Sequence, residues 1–101
     1  MVKSRLKVII DDEAKRAFRE AYQYIKRDSL QNAEKVRVKL LASIKALPTN
    51  PERYAPDKYR LNNDGAYRAY EILKYRVTYY IGDSVIRIIR IRHVRMNPLE
   101  Y

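Results

Sequence analysis

The chain has 101 residues, with 22 Lys and Arg against 12 Asp and Glu, a net charge of +10 and a pI near 9.9. One domain over residues 1–101 is the natural organisation, with room for a single modest core. There is no cysteine, which excludes disulfides, thiol nucleophiles and cysteine-based zinc sites.

The charge excess attracts polyanions: nucleic acid, an anionic membrane or an acidic protein. No apolar run approaches the length of a membrane span. Met1 to Lys7 is mixed polar, without the apolar core of a signal peptide. A cytoplasmic protein that does not engage a membrane is expected. The single His93 cannot hold a metal without clustered carboxylates, so neither metal nor cofactor is expected.

Leu6, Val8 and Ile10 alternate with Arg5, Lys7 and Ile9, which predicts a short strand with one strongly apolar face. Asp11 or Asp12 then suits a helix cap, because a side-chain oxygen there meets free N–H groups of the first turn. Ala14, Ala17, Phe18, Ala21 and Ile25 recur at helical spacing. Asp28-Ser29 interrupts the pattern, with Ser29 as the cap of a second helix. Its buried stripe is Ala33, Val36, Leu40, Ile44 and Leu47. Pro48 has no N–H to donate and ends it.

Residues 49–65 read as a long loop, with Pro51, Pro56 and the turn signal Asn62-Asn63-Asp64-Gly65. A loop of that length wraps the surface or carries function. Three strands follow: Ala66 to Leu73, Lys74 to Ile81, and Val85 to Val94, the last two joined by a tight turn at Gly82-Asp83. The last strand is apolar on both faces, which predicts a central strand or a bulge that shifts its phase. The order β-α-α-β-β-β predicts an α+β domain of two layers, a helical hairpin packed on a mainly antiparallel sheet.

Arg87, Arg90, Arg92 and Arg95 punctuate the end of the chain, with His93 among them. Arg76 and Arg68 lie on the two preceding strands. Neighbouring strands are about 5 Å apart, so these guanidiniums are expected to share a face suited to phosphate or carboxylate. Tyr70, Tyr75, Tyr79 and Tyr80 add rings for stacking bases. The competing reading pairs the arginines with acids such as Glu71 and puts most tyrosines in the core. Imidazole changes charge near neutral pH, so His93 is a candidate proton carrier. Tyr101 is terminal, where residues ordinarily fray.

The whole pattern resembles the RelE/ParE superfamily of bacterial toxins from type II toxin–antitoxin modules. The resemblance rests on Ile44-Lys45-Ala46-Leu47-Pro48 and Pro51 closing the second helix. It rests further on Tyr75-Arg76-Val77-Thr78-Tyr79-Tyr80-Ile81, the Gly82-Asp83 turn, and Val85 to His93 with Arg95. It implies a toxin that arrests growth and a cognate antitoxin that binds it.

RelE-like members cleave mRNA on the ribosome without a metal. In that branch Arg76, Arg95, His93 and Tyr101 are the candidate catalytic residues. ParE-like members inhibit DNA gyrase, and Arg68, Arg87, Arg90 and Arg92 are then candidates for binding the target or nucleic acid. The paired lysines of the RelE-like branch are missing, with Tyr67 and Ala69 standing about there. Together with the long helical hairpin, this favours the ParE-like branch. A non-toxic nucleic-acid-binding module is a third reading that the basic strands and tyrosines serve equally.

Overall fold

The computed structural model describes residues 6–97 and 99–101; Arg5, at the head of the expected first strand, lies outside them. Strand β1 (Lys7–Ile10) leads into helices α1 (Asp12–Lys26) and α2 (Leu30–Lys45) and a short 3-10 turn at Leu47–Thr49. Strands β2 (Tyr67–Ile72), β3 (Tyr75–Ile81) and β4 (Val85–His93) complete the chain. The sheet order is β1-β4-β3-β2. The pairs β2–β3 and β3–β4 are antiparallel, and β1 lies parallel to β4. The expected α+β two-layer fold is present.

The helix stripes read from the sequence are the buried ones. Ala14, Leu40, Ile44 and Leu47 meet Tyr70, Tyr75, Val77, Tyr79, Ile86, Ile88 and Ile91 in one core, with Phe18, Ala21, Ile25 and Val36 packed at its margin. Both helices therefore cover a single face of the sheet, leaving the other face to the loop and the C-terminal segment.

The two helix starts differ. The Ser29 hydroxyl accepts the N–H of Asn32 at 3.0 Å, relieving one of the unpaired donors of the first turn. Ser29→Ala should cost about 1 kcal/mol, measurable as a lowered midpoint in urea unfolding. Asp11 occupies the cap position of α1 but makes no side-chain cap bond. Its carboxylate pairs with Arg87 at 2.7 Å instead, because the neighbouring strand presents a stronger, charged donor.

Strand β4 is both central and bulged. Thr78 pairs with Arg90, yet the next residue, Tyr79, pairs with Ile88. Ile89 is the extra residue that lets Ile86 and Ile88, then Ile91, point to the same core. The same shift puts Arg87, Arg90 and Arg92 on the outward face.

The connection from β2 to β3 carries no glycine or asparagine. Leu73 and Lys74 have φ of 49° and 71°, the left-handed conformation that a two-residue hairpin demands and that most side chains resist.

Candidate functional site

The outward face is organised by Asp57, in the loop between α2 and β2. Its side chain is 1% exposed although it carries charge. Oδ1 accepts from Arg76 Nη2 at 2.7 Å and from the Tyr59 N–H at 3.2 Å, while Oδ2 accepts from the Tyr101 hydroxyl at 2.6 Å. Burial alone would push the Asp57 carboxyl up. The bonds from Tyr101, Arg76 and the Tyr59 N–H outweigh it and hold the carboxyl below its ordinary range. Burial, and then the donation to Asp57, push the Tyr101 hydroxyl well above its ordinary value. At neutral pH Tyr101 is a fixed proton donor to a carboxylate.

The loop reaches this position because its own polar groups hold it. Asn63 accepts from the Gly65 N–H at 2.9 Å and donates to the Tyr67 carbonyl at 2.8 Å and the Asp57 carbonyl at 3.2 Å. Gly65 has φ of 99°, a conformation available to it because it has no Cβ. Tyr54 stacks on Tyr70 at 4.2 Å between centroids, and the Tyr79 hydroxyl donates to the Pro51 carbonyl at 2.6 Å. The long loop wraps the surface and is pinned to the core.

Around Asp57 lie cations and rings. Arg76 sits 5.0 Å over the Tyr59 ring and reaches Glu71 at 3.5 Å. The Arg60 guanidinium sits 4.0 Å over Tyr67 and 5.2 Å over Tyr101, and Arg90 lies 4.7 Å over the Tyr101 ring. Arg60 Nε is buried without a hydrogen-bond partner among the described residues. Such contacts with aromatic faces partly offset the loss of water around each guanidinium.

The arginines and rings named from the sequence divide between the two faces. Arg76, Arg90 and Arg92 come together outward, as adjacent positions in the ladder. Arg87 shares that face but is engaged by Asp11 at its far end. Arg68 does not join them. It pairs with Tyr79 across the ladder, and its guanidinium ties down the loop through the carbonyls of Gly65 at 2.9 Å and Tyr54 at 2.8 Å. Tyr70, Tyr75 and Tyr79 are core residues, so they offer no stacking surface. The outward rings are Tyr59, Tyr67, Tyr80 and Tyr101.

The four candidate catalytic residues are likewise dispersed. Arg76 and Tyr101 meet at Asp57. Tyr101 does not fray: its main-chain N–H donates to the Tyr59 carbonyl at 3.1 Å, and its main-chain oxygen accepts from Leu61 at 2.7 Å. His93 pairs with Tyr75 on the helix side, its ring edge-on to that tyrosine at 5.2 Å. Its Nδ1 accepts the Arg95 N–H at 3.0 Å, which leaves Nε2 for the ring proton. Arg95 is exposed beyond β4. It borders a groove of about 500 Å³ lined also by Ala17, Ala21, Tyr24, Tyr75 and Ile91.

Asp57 was not evident from the sequence. Its ties to Arg76 and Tyr101 span 19 and 44 positions. The one local signal is an Asp two residues before the N–H it binds, an Asx turn following Pro56.

The chain matches the family described as "ParE toxin of type II toxin-antitoxin system, parDE" over residues 8–98. It belongs to the ParE toxin family. It is the toxin component of a type II toxin–antitoxin module, within the RelE/ParE superfamily that its motifs resemble. A chain of the chromosomal ParDE system from P. aeruginosa shares the fold, with a TM-score of 0.71 at 15% identity over 90% of this chain and 98% of that one. A chain of the toxin–antitoxin complex RelBE2 from Mycobacterium tuberculosis gives a TM-score of 0.51 at 18% identity, over 88% and 98%. No curated protein is a match by sequence. Among the described residues of this ParE-family chain, no helix is long and apolar enough to cross a membrane.

Proposed function

We propose that this ParE-family toxin acts in the cytoplasm, arrests growth by binding DNA gyrase and does not cleave RNA. The observation that carries the reading is the engagement of Arg76 and Tyr101 by the buried carboxylate of Asp57. A metal-independent ribonuclease needs a base for the 2′-hydroxyl and free cations for the phosphate. Here Tyr101 is held protonated and one candidate arginine is committed to a carboxylate. His93 touches the edge of the same cleft but its ring packs edge-on against Tyr75, and Arg95 does not line the cleft. The missing lysines at Tyr67 and Ala69 support the same branch.

The outward basic face is the surface offered to the target, with Arg87, Arg90 and Arg92 on it. The groove between α1 and the end of β4 suits a cognate antitoxin. Ala17, Ala21 and Ile91 line it with apolar groups, and Arg92 and Arg95 outnumber its one acid, Glu20. An amphipathic antitoxin segment carrying acidic residues matches both features.

Inducible expression tests the reading in cells. Growth should stop, DNA-damage signalling should rise, and transcripts should remain intact. Arrest with fragmented mRNA and no damage signal supports the ribonuclease reading instead. Harmless expression returns the chain to the class of nucleic-acid-binding modules.

A further inference from the structure

The outward cleft holds two arginines that no carboxylate among the described residues neutralises, although Arg90 rests 4.7 Å over the Tyr101 ring. Five charged groups line it: Asp57, Glu71, Arg76, Arg90 and Arg92. Arg76 serves both carboxylates. Among the described residues, neither Arg90 nor Arg92 has a carboxylate within 4.0 Å. Among the described residues their hydrogen-bond acceptors are neutral and long: Arg90 Nη1 reaches the Leu99 carbonyl at 3.4 Å, and Arg92 Nη2 the Asn97 carbonyl at 3.2 Å. Each guanidinium carries five N–H donors, so most donors remain free. The two residues stand two apart on β4, on the same face, beside a cleft of about 90 Å³. That space is several times the minimum for one water, about 10–15 Å³, and suits a single oxyanion.

We propose that Arg90 and Arg92 bind a phosphodiester group of a nucleic-acid strand in this cleft, where the Asn97 and Leu99 carbonyls now hold the place of phosphate oxygens. A planar guanidinium matches phosphate through paired N–H bonds, and an anion relieves the repulsion between two neighbouring cations. Apolar side chains at the margin favour a strand over a free ion. Met96 and Leu99 line the cleft and are about half exposed, at 54% and 47%. The net charge of +10 draws the strand in, and the two arginines fix one phosphate. The inference rests on the outward face being the working surface. It requires no gyrase, so its failure leaves gyrase inhibition untouched.

The test uses free toxin and fluorescein-labelled single strands of DNA and of RNA with one sequence, followed by anisotropy across a salt series. The Arg90→Gln/Arg92→Gln double variant should bind at least tenfold more weakly. Its salt slope should fall by roughly 1–2, as for one or two lost phosphate contacts. The charge-matched Lys39→Gln/Lys45→Gln variant, altered on the exposed side of α2, should lose less than threefold. Inorganic phosphate added to the wild type should shift the Arg Nε resonances of Arg90 and Arg92, a readout that needs no variant to fold. Arginine-dependent binding of either strand supports the site, and the tighter strand identifies its source. Equal losses in the two double variants, or phosphate shifts spread evenly over all arginines, would overturn it.

Discussion

Asp57→Ala should lower stability by about 3 kcal/mol, the lower end of the cost of breaking a buried ion pair. Arg76 keeps 21% of its side chain exposed, so water recovers part of its loss. Tyr101 loses its acceptor in the same change, and the C-terminal segment should detach. For a domain of this size each kcal/mol shifts the melting temperature by about 4–8 °C, so a drop above 10 °C is expected. Arg76→Ala should cost a similar amount, because it leaves Asp57 buried and unpaired. The double variant should cost far less than the sum, since both changes remove one interaction. Additive losses in a double-mutant cycle would contradict the pairing. Arg76→Ala is thus a poor probe of catalysis, as toxicity can vanish with the fold.

The same carboxylate sets a pH dependence. Its folded pKa is depressed, so its contribution is complete above the unfolded value, about 4. It fades as pH falls through the lower folded value. Wild type should lose stability in that acid range, and Asp57→Ala should show a flatter profile there.

Tyr79→Ala should be still more costly, about 4 kcal/mol, as for emptying a buried aromatic site. Tyr79 is fully buried, at 0% exposure, and lies against Tyr70 in the centre of the sheet. Its hydroxyl also anchors the loop through the Pro51 carbonyl at 2.6 Å. Burial pushes that hydroxyl up to about 12, so it stays a donor throughout the physiological range. Tyr79→Phe separates the two roles. It keeps the ring and should cost about 1 kcal/mol, with faster proteolysis confined to residues 52–62. Urea unfolding of both variants measures the split. Equal costs would show that the hydroxyl, not the ring, carries the residue's weight.

The elements were legible in the sequence wherever periodicity was local. Ala33, Leu40 and Ile44 announce α2 by spacing, and Ser29 announces its cap. The doubled apolar pattern of β4 announced a bulge or a central position, and Ile89 and the strand order supply both. The break between β2 and β3 was legible at Leu73-Lys74, but its backbone was not, because neither residue favours positive φ and tertiary pairing imposes it. Side-chain destinations were less legible still. Arg68 and Arg76 look alike in sequence, yet the ladder turns one toward the loop carbonyls and the other toward Asp57. The phase of the tyrosines was visible, but not which face the helices would take. Asp57 meets its partners only after the loop and the C-terminal segment fold over the sheet.

The central claim is that Asp57 has made Arg76 and Tyr101 structural, leaving a toxin that works by binding gyrase. Purified toxin titrated into a gyrase supercoiling reaction, beside ribosomes translating a defined mRNA, tests it most directly. The account predicts that supercoiling is blocked and the mRNA stays whole. Unimpaired supercoiling at saturating toxin, with the mRNA cut on the ribosome, would contradict it.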